Sequence, residues 1–147
     1  MKVKMIFLID TDIIIYSLKQ YPLVKKNFNS HLNDLKKISV ITYGELVFGA
    51  KKSKDYHKNM AAVHRISELF PVVEVSESIM EAFADIKAAL YKKGNIIDDM
   101  DLIIAATAIT MNYTLVTNNE KHFSRIPGLL IDNWAVQQEN PGNQSLL

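Results

Sequence analysis

Short, almost purely apolar segments alternate along this chain with longer segments in which apolar residues recur every three or four positions. Continuous apolar runs of this kind are typical of strands that are buried on both faces of a sheet. The pattern predicts strands at Met5–Ile9, Ile38–Ile41, Val72–Val75 and Tyr113–Thr117, with a fifth at Leu129–Ile131.

The segments between these strands have helical spacing. Pro22, a residue favoured in the first turn of a helix, opens the first segment, and Gly94 ends the fourth. The apolar positions of the first four helices are Val24, Phe28, Leu32 and Leu35; Tyr43, Leu46, Val47 and Ala50; Tyr56, Met60, Val63 and Ile66; and Ile79, Phe83, Ile86 and Leu90. A fifth helix, rich in alanine and headed by aspartates, is predicted to run to about Met111.

Alternating strands and helices predict an α/β fold in three layers, with a parallel sheet of about five strands covered by helices on both faces. The length of 147 residues has room for one domain, which we place at residues 1–135. Residues 136–147 are polar and are predicted to form a disordered C-terminal tail. In such a sheet every strand C-terminus and helix N-terminus meets at one edge, where α/β proteins bind ligands.

Charge is small overall but unevenly distributed. Residues 1–93 carry 15 basic and 10 acidic side chains, and residues 94–147 carry 2 and 6, which leaves a net charge of +1. The densest basic group consists of Lys51, Lys52, Lys54, Lys58 and Arg65. Within it, Lys51, Lys52 and Lys54 are candidates for contacts with an RNA backbone, although a solvated helix face is the simpler interpretation.

The chain contains no cysteine, which excludes disulfides, thiolate zinc sites and cysteine nucleophiles. Its N-terminal apolar run meets Asp10 too soon for a signal peptide, and the alanine-rich helix is too short to cross a membrane. We therefore expect a cytoplasmic protein without a membrane segment. Tyr56 and Met60 are apolar surface candidates that would allow a homodimer without requiring one.

Acidic and amide residues collect at the predicted ligand edge. The set is Asp10, Asp12, Glu45, Asp98, Asp99, Asp101, Asn118 and Asn119. Helix capping offers a local explanation for several of them: a helix that starts at Thr42 would place Glu45 in its first turn, and the two would form a T-x-x-E capping box. Asp98 and Asp101 form the analogous D-x-x-D pattern. Capping does not explain why Asp10 ends an otherwise apolar strand.

A tight carboxylate cluster indicates a bound cation, because two like charges about 4 Å apart repel by roughly 4 kcal/mol at an effective dielectric constant near 20. With no thiolate and no histidine pair at ligand spacing, Mg²⁺ or Mn²⁺ fits better than zinc. Such ions polarise phosphoryl groups and lower the pKa of an attacking water, which favours phosphodiester hydrolysis. The sequence has no Walker or GxGxxG motif, and we assign none of its four histidines to catalysis.

Three segments resemble a known family. They are LIDTDIIIYSL near the N-terminus, ISVITYGELVFGA in the middle, and IDDMDLIIAATAI followed by LVTNNEKHFSRIPGLLIDNW. In this order they resemble PIN-domain ribonucleases and, among these, the VapC toxins of toxin–antitoxin (VapBC) modules. The resemblance implies an RNA substrate, inhibition of translation or growth, and a VapB-like antitoxin that blocks the site. It also implies a metal site of Asp10, Glu45 and Asp101, with Asp99 as an additional acid.

Two positions depart from the family pattern. Many members have a further Asp after the last central strand, where this chain has Asn119, which can orient a water but adds no charge. Asn119 is therefore a supporting candidate, and the number of metal ions, one or two, stays open. Position 12 is Asp, where the family often has Asn.

Two other interpretations stay open. An apolar strand followed by D-x-D also begins haloacid-dehalogenase-type phosphatases, with Asp10 as nucleophile and Asp12 as acid–base, but that motif continues with Thr or Val where this chain has Ile14. A PIN fold can also be a catalytically weak RNA- or protein-binding module. Such a module would be expected to have lost one of the three central acids, and all three are present here.

Overall fold

A computed structural model of the chain describes residues 4–137. The strands in this range are β1 (Ile6–Ile9), β2 (Leu35–Ser39), β3 (Val72–Val73), β4 (Thr114–Val116) and β5 (Ile131–Asp132). The helices are α1 (Thr11–Leu18), α2 (Pro22–Ser30), α3 (Val40–Lys51), α4 (Tyr56–Leu69), α5 (Glu77–Lys92), α6 (Asp99–Met111) and α7 (Glu120–Phe123). The predicted tail at residues 136–147 lies almost wholly outside the described residues.

The strands form a parallel sheet with β1 at its centre, in the order β3-β2-β1-β4-β5. Alternate residues of β1 enter opposite cores, because successive side chains of a strand point to opposite faces. Phe7 and Ile9 pack with α1 to α4, whereas Leu8 packs with α5 to α7. The prediction of a three-layer α/β fold with five parallel strands is confirmed.

Helix α6 is buried on almost every side. Ile104, Ala105, Ala106 and Ala108 are fully covered, and α5 packs along the helix. Small alanine side chains allow this close approach, and a helix that is apolar all round has no face to turn toward water. The acidic N-terminus of α6 is therefore fixed at the sheet edge where β1 and β4 end.

The predicted helix through Leu32 and Leu35 is wrong beyond Ser30, where α2 ends. Leu32 is 73 % exposed, and Leu35 begins β2, where it pairs with Ile6 of β1. Pairing with β1 gives the backbone groups of this segment hydrogen-bond partners, so sheet formation overrides the local helical spacing.

The boundary between β2 and α3 also differs from the prediction. Helix α3 begins at Val40 because Ser39 caps it, accepting a hydrogen bond from the N–H of Ile41 (3.1 Å). Glu45 consequently lies in the second turn, and its carboxylate is bonded to another helix and not to Thr42. The short helices α1 and α7 were not predicted.

The two apolar candidates for a homodimer differ in burial. Met60 packs against the core, whereas Tyr56 is partly exposed beneath the ammonium group of Lys51. Tyr56 is therefore the more exposed of the two, and a homodimer stays a prediction. Across residues 4–137, no helix has the length and apolar content needed to span a bilayer.

Candidate active site

Asp10 lies at the C-terminal end of the central strand and is only 6 % exposed. The register of β1 and β4 pairs Ile9 with Val116, so the residues that follow, Asp10 and Thr117, come side by side. The hydroxyl of Thr117 donates to Oδ2 of Asp10 (2.8 Å), and the N–H of Thr11 donates to Oδ1 (2.8 Å). Asp10 is thus both the end of β1 and the N-cap of α1, and both carboxylate oxygens are held.

Asp12 lies in the first turn of α1, half-buried beside the loop that follows β4. Its Oδ1 accepts from the N–H of Ile13 (2.7 Å), and its Oδ2 accepts from the N–H of Asn118 (3.1 Å). Because the strand has already ended, a helix and not strand alternation directs this side chain.

Glu45 reaches the same edge from α3. The hydroxyl of Thr11 donates to Oε1 of Glu45 (2.9 Å) and lies 3.1 Å from the hydroxyl of Thr42. Thr11 therefore bridges two of the predicted metal ligands: its N–H holds Asp10, and its hydroxyl holds Glu45.

Asp101 enters from the first turn of α6. Asp98 caps this helix by accepting from the N–H of Met100 (3.1 Å), so the cap does not require Asp101. Oδ2 of Asp101 lies 3.5 Å from Nδ1 of His122 in α7, and the same nitrogen lies 3.1 Å from Nδ2 of Asn119. His122 therefore stands between Asp101 and the predicted supporting residue Asn119.

Asp10 is the most strongly perturbed acid of the cluster. Burial and the neighbouring charge of Asp12 raise the pKa of Asp10 from 3.8 to about 7, although the hydrogen bonds from Thr117 and Thr11 act in the opposite direction. At neutral pH a substantial fraction of this carboxylate is therefore protonated unless a cation stabilises the ionised form.

The other central acids are shifted in the same direction. Burial is the main cause that raises the pKa of Asp12, Glu45 and Asp101. The charge of Asp101 further raises the pKa of Asp12 and Glu45, and Asp98 raises the pKa of Asp101, which His122 partly lowers. Negative charge is therefore concentrated at this edge, and the N-terminal dipoles of α1 and α6 offset part of the repulsion.

The carboxylates do not form a closed metal cage. Within residues 4–137, no three acidic or histidine side chains are placed so that they alone could hold an ion. The donor set nevertheless consists of carboxylate oxygens whose repulsion a cation would relieve. A hard cation that keeps several of its waters, as Mg²⁺ does in proteins, fits such a set, because water can bridge the longer distances.

Asp99 does not share this environment. Its Oδ1 pairs with Nζ of Lys87 in α5 at 2.9 Å, and both side chains are more than half exposed. With 3.6 residues per helical turn, positions two residues apart point about 200° away from each other, so Asp99 faces α5 while Asp101 faces the site. The acid whose charge raises the pKa of Asp101 is Asp98, which belongs to the acidic set at the ligand edge but was not predicted as a metal ligand.

Sequence reasoning missed three residues that shape the site, namely Thr11, Thr117 and His122. Thr117 directly follows β4, and Thr11 is the second residue after β1, so their placement at the ligand edge was the available signal. His122 is one of the four histidines not assigned to catalysis, and the helix α7 that turns it toward Asp101 was not predicted.

A groove of about 710 Å³ opens beside Glu45, between α1, α3 and α4. Leu46, Ala50 and Val63 give it an apolar lining, and its basic lining residues are Lys19, Lys52, Lys58 and Arg65. Of the three lysines predicted to contact RNA, Lys52 lines this groove. Lys51 lies over the ring of Tyr56, and Lys54 is exposed between α3 and α4.

The chain is similar in sequence to known ribonucleases of one family. A family model described as PIN domain matches residues 7–129 of the chain. The chain is 35 % identical to ribonuclease VapC2 of Rickettsia felis over 88 % of the chain and 98 % of that relative. It is 33 % identical to the tRNA(fMet)-specific endonuclease VapC of Salmonella typhimurium, again over 88 % of the chain and 98 % of that relative.

Solved structures with a similar fold come from the same family. The crystal structure of VapBC2 from Rickettsia felis bound to a DNA fragment from their promoter contains a similar chain, with a TM-score of 0.83 and 34 % identity over 88 % of this chain and 99 % of that one. The resemblance inferred from the sequence motifs is confirmed. The matches also favour the nuclease interpretation over the phosphatase alternative.

The metal-free protein should lose stability as the pH rises. Asp10 has a folded-state pKa of about 7, above its ordinary value of 3.8, so between these values the native state binds more protons than the unfolded state. This contribution to stability is complete below the unfolded pKa and is lost as the pH rises through about 7. In chelator, we expect the thermal midpoint to fall between about pH 5 and about pH 8, by roughly 2–4 °C for each kcal/mol lost.

Calorimetry across this pH range measures the effect. Asp10→Asn should flatten the dependence because it removes the titrating group, whereas Asp85→Asn, at an exposed position of α5, should leave it unchanged. A wild-type midpoint that stays level or rises with pH would contradict the electrostatic account of the site.

Proposed function

This chain belongs to the PIN-domain family and, within it, to the VapC ribonucleases, and on this premise we propose that it is a metal-dependent endoribonuclease that hydrolyses RNA phosphodiester bonds. We propose further that it is the toxin of a toxin–antitoxin pair, that it inhibits translation or growth, and that it acts in the cytoplasm. Asp10, Glu45 and Asp101 are the proposed catalytic acids and metal ligands.

One observation carries this proposal: carboxylates from three separate elements converge where β1 and β4 end. Asp10 comes from the end of the central strand, Glu45 from α3 and Asp101 from α6, and charge interactions link all three to one another or to Asp12. Separate helix caps would not require such convergence. A shared cation explains why mutually repelling acids are held together.

The chain's own residues prepare this site. Thr117 and Thr11 fix both oxygens of Asp10, and the hydroxyl of Thr11 fixes Glu45, so these ligands are oriented before anything binds. Asp12 adds negative charge beside them and is held by backbone donors. Asn119, through its contact with His122, supports the Asp101 side of the cluster.

We propose Mg²⁺ or Mn²⁺ as the ion, because an all-oxygen carboxylate set suits hard cations. When bound, such an ion supplies Lewis-acid chemistry, lowering the pKa of a water and stabilising negative charge on the phosphate. Asp99 would contribute only negative charge at the periphery of the site, since its carboxylate is paired with Lys87.

The groove beside Glu45 is the proposed path of the RNA backbone. The groove is lined by Glu45 and by the basic residues Lys52, Lys58 and Arg65. An RNA backbone whose phosphates bind these basic side chains would therefore lie next to Glu45. Lys51 and Lys54 lie outside this lining and would act at longer range. The apolar lining of Leu46, Ala50 and Val63 does not attract phosphate and leaves the backbone contacts to the basic side chains.

An antitoxin is the proposed protein partner. The similar chain in the Rickettsia felis structure is part of a VapBC2 complex, and the Haemophilus influenzae structure of VapBC-1 also contains a similar chain. We propose that a VapB-like protein binds this chain and blocks access of RNA to the acids.

Asp101→Asn should abolish RNA cleavage and leave the fold intact. Loss of a direct metal ligand should cost more than the roughly 10- to 100-fold that follows loss of an outer-shell partner. In metal-free protein the change removes like-charge repulsion, so the thermal midpoint should stay level or rise. Cleavage of a structured RNA pool with Mg²⁺, with Mn²⁺ and with chelator is the measurement, and Asp85→Asn is the matched control. Cleavage retained by Asp101→Asn would refute the assignment of this acid.

Removing groove charge should weaken RNA binding without changing the site. For the double variant Lys58→Ala/Arg65→Ala, we expect the slope of log affinity against log salt for single-stranded RNA to become shallower by about 1.4, which is about 0.7 for each lost contact. Fluorescence anisotropy in chelator gives this slope. Lys25→Ala/Lys26→Ala removes the same charge from exposed positions of α2, and an equal effect there would exclude the groove as the path.

A cognate VapB-like antitoxin should inhibit the purified enzyme. Adding it in equal amounts should suppress metal-dependent cleavage, and it should bind Asp101→Asn as well, because that variant keeps the fold. Titration with a fluorescent RNA substrate measures inhibition, and size-exclusion chromatography measures binding. Full activity in the presence of bound antitoxin would contradict the proposal that the partner blocks the site.

A further inference from the structure

Two tyrosine rings lie stacked beside the acid cluster. The ring centroids of Tyr16 and Tyr21 are 4.9 Å apart, and their planes differ by only 11°. Tyr16 is half-buried and packs against the core, whereas Tyr21 is 44 % exposed. One ring is therefore anchored in the protein, and the other is presented to solvent.

The tyrosine pair is connected directly to the acids. Tyr16 lies four residues after Asp12 on α1, so the two share a helix face about one 5.4 Å turn apart. Asn118 joins them: its N–H donates to Oδ2 of Asp12 (3.1 Å), and its Nδ2 donates to the hydroxyl of Tyr16 (3.4 Å). The exposed ring of Tyr21 is thus linked to Asp12 through Tyr16, on which it stacks, and Asn118.

The turn after α1 fixes this arrangement. The N–H of Tyr21 donates to the carbonyl of Tyr16 (3.0 Å), and the N–H of Gln20 donates to that of Ser17 (3.0 Å), which is the hydrogen-bond pattern of a Schellman motif. Gln20 has φ +59°, a left-handed conformation that glycine adopts with less strain. The two rings are therefore held by backbone bonds and do not depend on side-chain packing alone.

A merely structural role is the competing explanation. Schellman motifs often include an apolar contact between these two positions, and any bulky apolar side chain can supply it. Leucine at position 21 would satisfy that role equally well. A flat ring, parallel to a second ring and partly open to solvent, offers in addition a face on which another planar group can stack.

We propose that Tyr21, backed by Tyr16, is a stacking platform for an unpaired base of the RNA whose phosphate is cut at the acid cluster. The inference rests on the proposed function and deepens it by naming the residues that would bind a base of the substrate. Base stacking on aromatic side chains is tolerant of sequence but needs a base with a free face. The substrate at this point is therefore single-stranded or looped RNA, since the bases of a duplex are already stacked on one another.

The experiment compares three substitutions at one position. Tyr21→Phe and Tyr21→Trp keep a ring, whereas Tyr21→Leu keeps only the apolar contact of the helix end. Binding is measured in chelator, where no cutting occurs, with a short single-stranded oligoribonucleotide, a duplex of equal length and inorganic polyphosphate. Polyphosphate supplies the charge of a backbone without bases.

We expect Tyr21→Leu to weaken single-strand binding roughly 5- to 100-fold relative to Tyr21→Phe, with little change for the duplex or polyphosphate. The thermal midpoints of the two variants should be similar, because both keep the apolar contact between positions 16 and 21 at the end of α1. In Tyr21→Trp, the single strand should quench the fluorescence of the new indole, and polyphosphate should not.

Three results would overturn the platform. These are equal binding of single strands by Tyr21→Leu and Tyr21→Phe, an equal loss for polyphosphate, and indole quenching by a protein partner but not by RNA. The first result would show that Tyr21 has only a structural role at the helix end. The second would show that the substitution changes charge or fold in general. The third would show that Tyr21 contacts a protein and not RNA.

Cleavage by the wild-type protein is measured in parallel, so that the two proposals fail separately. Metal-dependent cleavage with no effect of Tyr21→Leu on kcat/KM or on binding would support the ribonuclease proposal and refute the stacking platform. Ring-dependent binding of single strands without any cleavage would support the platform and count against the enzyme.

Discussion

Burial of the Asp10 carboxylate at the end of the central strand removes it from water, and its ionised form then depends on donors from neighbouring elements. The hydrogen bond from Thr117 links the ends of β1 and β4, and the N–H of Thr11 completes the carboxylate's shell. These bonds require the observed strand register, since a shift of one residue would turn Thr117 to the opposite face. The sheet, the start of α1 and the site are thus parts of one arrangement.

Hydrogen bonds offset only part of the electrostatic cost. The pKa of Asp10 still lies near 7, and burial also raises the pKa of Asp12, Glu45 and Asp101. Acids perturbed together in this way are typical of functional sites. A cluster that is unfavourable without a cation is also one that binds a cation readily, so the instability of the site and its proposed chemistry have the same origin.

Two neighbouring surfaces beside the acids are suited to different parts of an RNA strand. On one side, the groove between α1, α3 and α4 carries basic side chains suited to phosphates. Next to Asp12, the Tyr16–Tyr21 pair presents an aromatic face suited to a base. Contacts with phosphates alone would accept any strand, paired or unpaired. In our proposals the aromatic face restricts cleavage to unpaired RNA, and helix α1 carries parts of both surfaces.

The layered fold and the meeting of three acids at one sheet edge could be predicted from the sequence alone. Apolar runs and helical spacing predicted a parallel sheet, and the rule that strand ends meet at one edge placed Asp10, Glu45 and Asp101 together. The directions of individual side chains could not be predicted in this way: Asp99 turns to Lys87, and His122 turns to Asp101. Nor could the strand at Leu35, which forms by pairing with β1. Local pattern follows from the periodicity of helix and strand, but a side chain's partners depend on the register between elements that are distant in sequence, and that register forms only when the sheet and its helices pack.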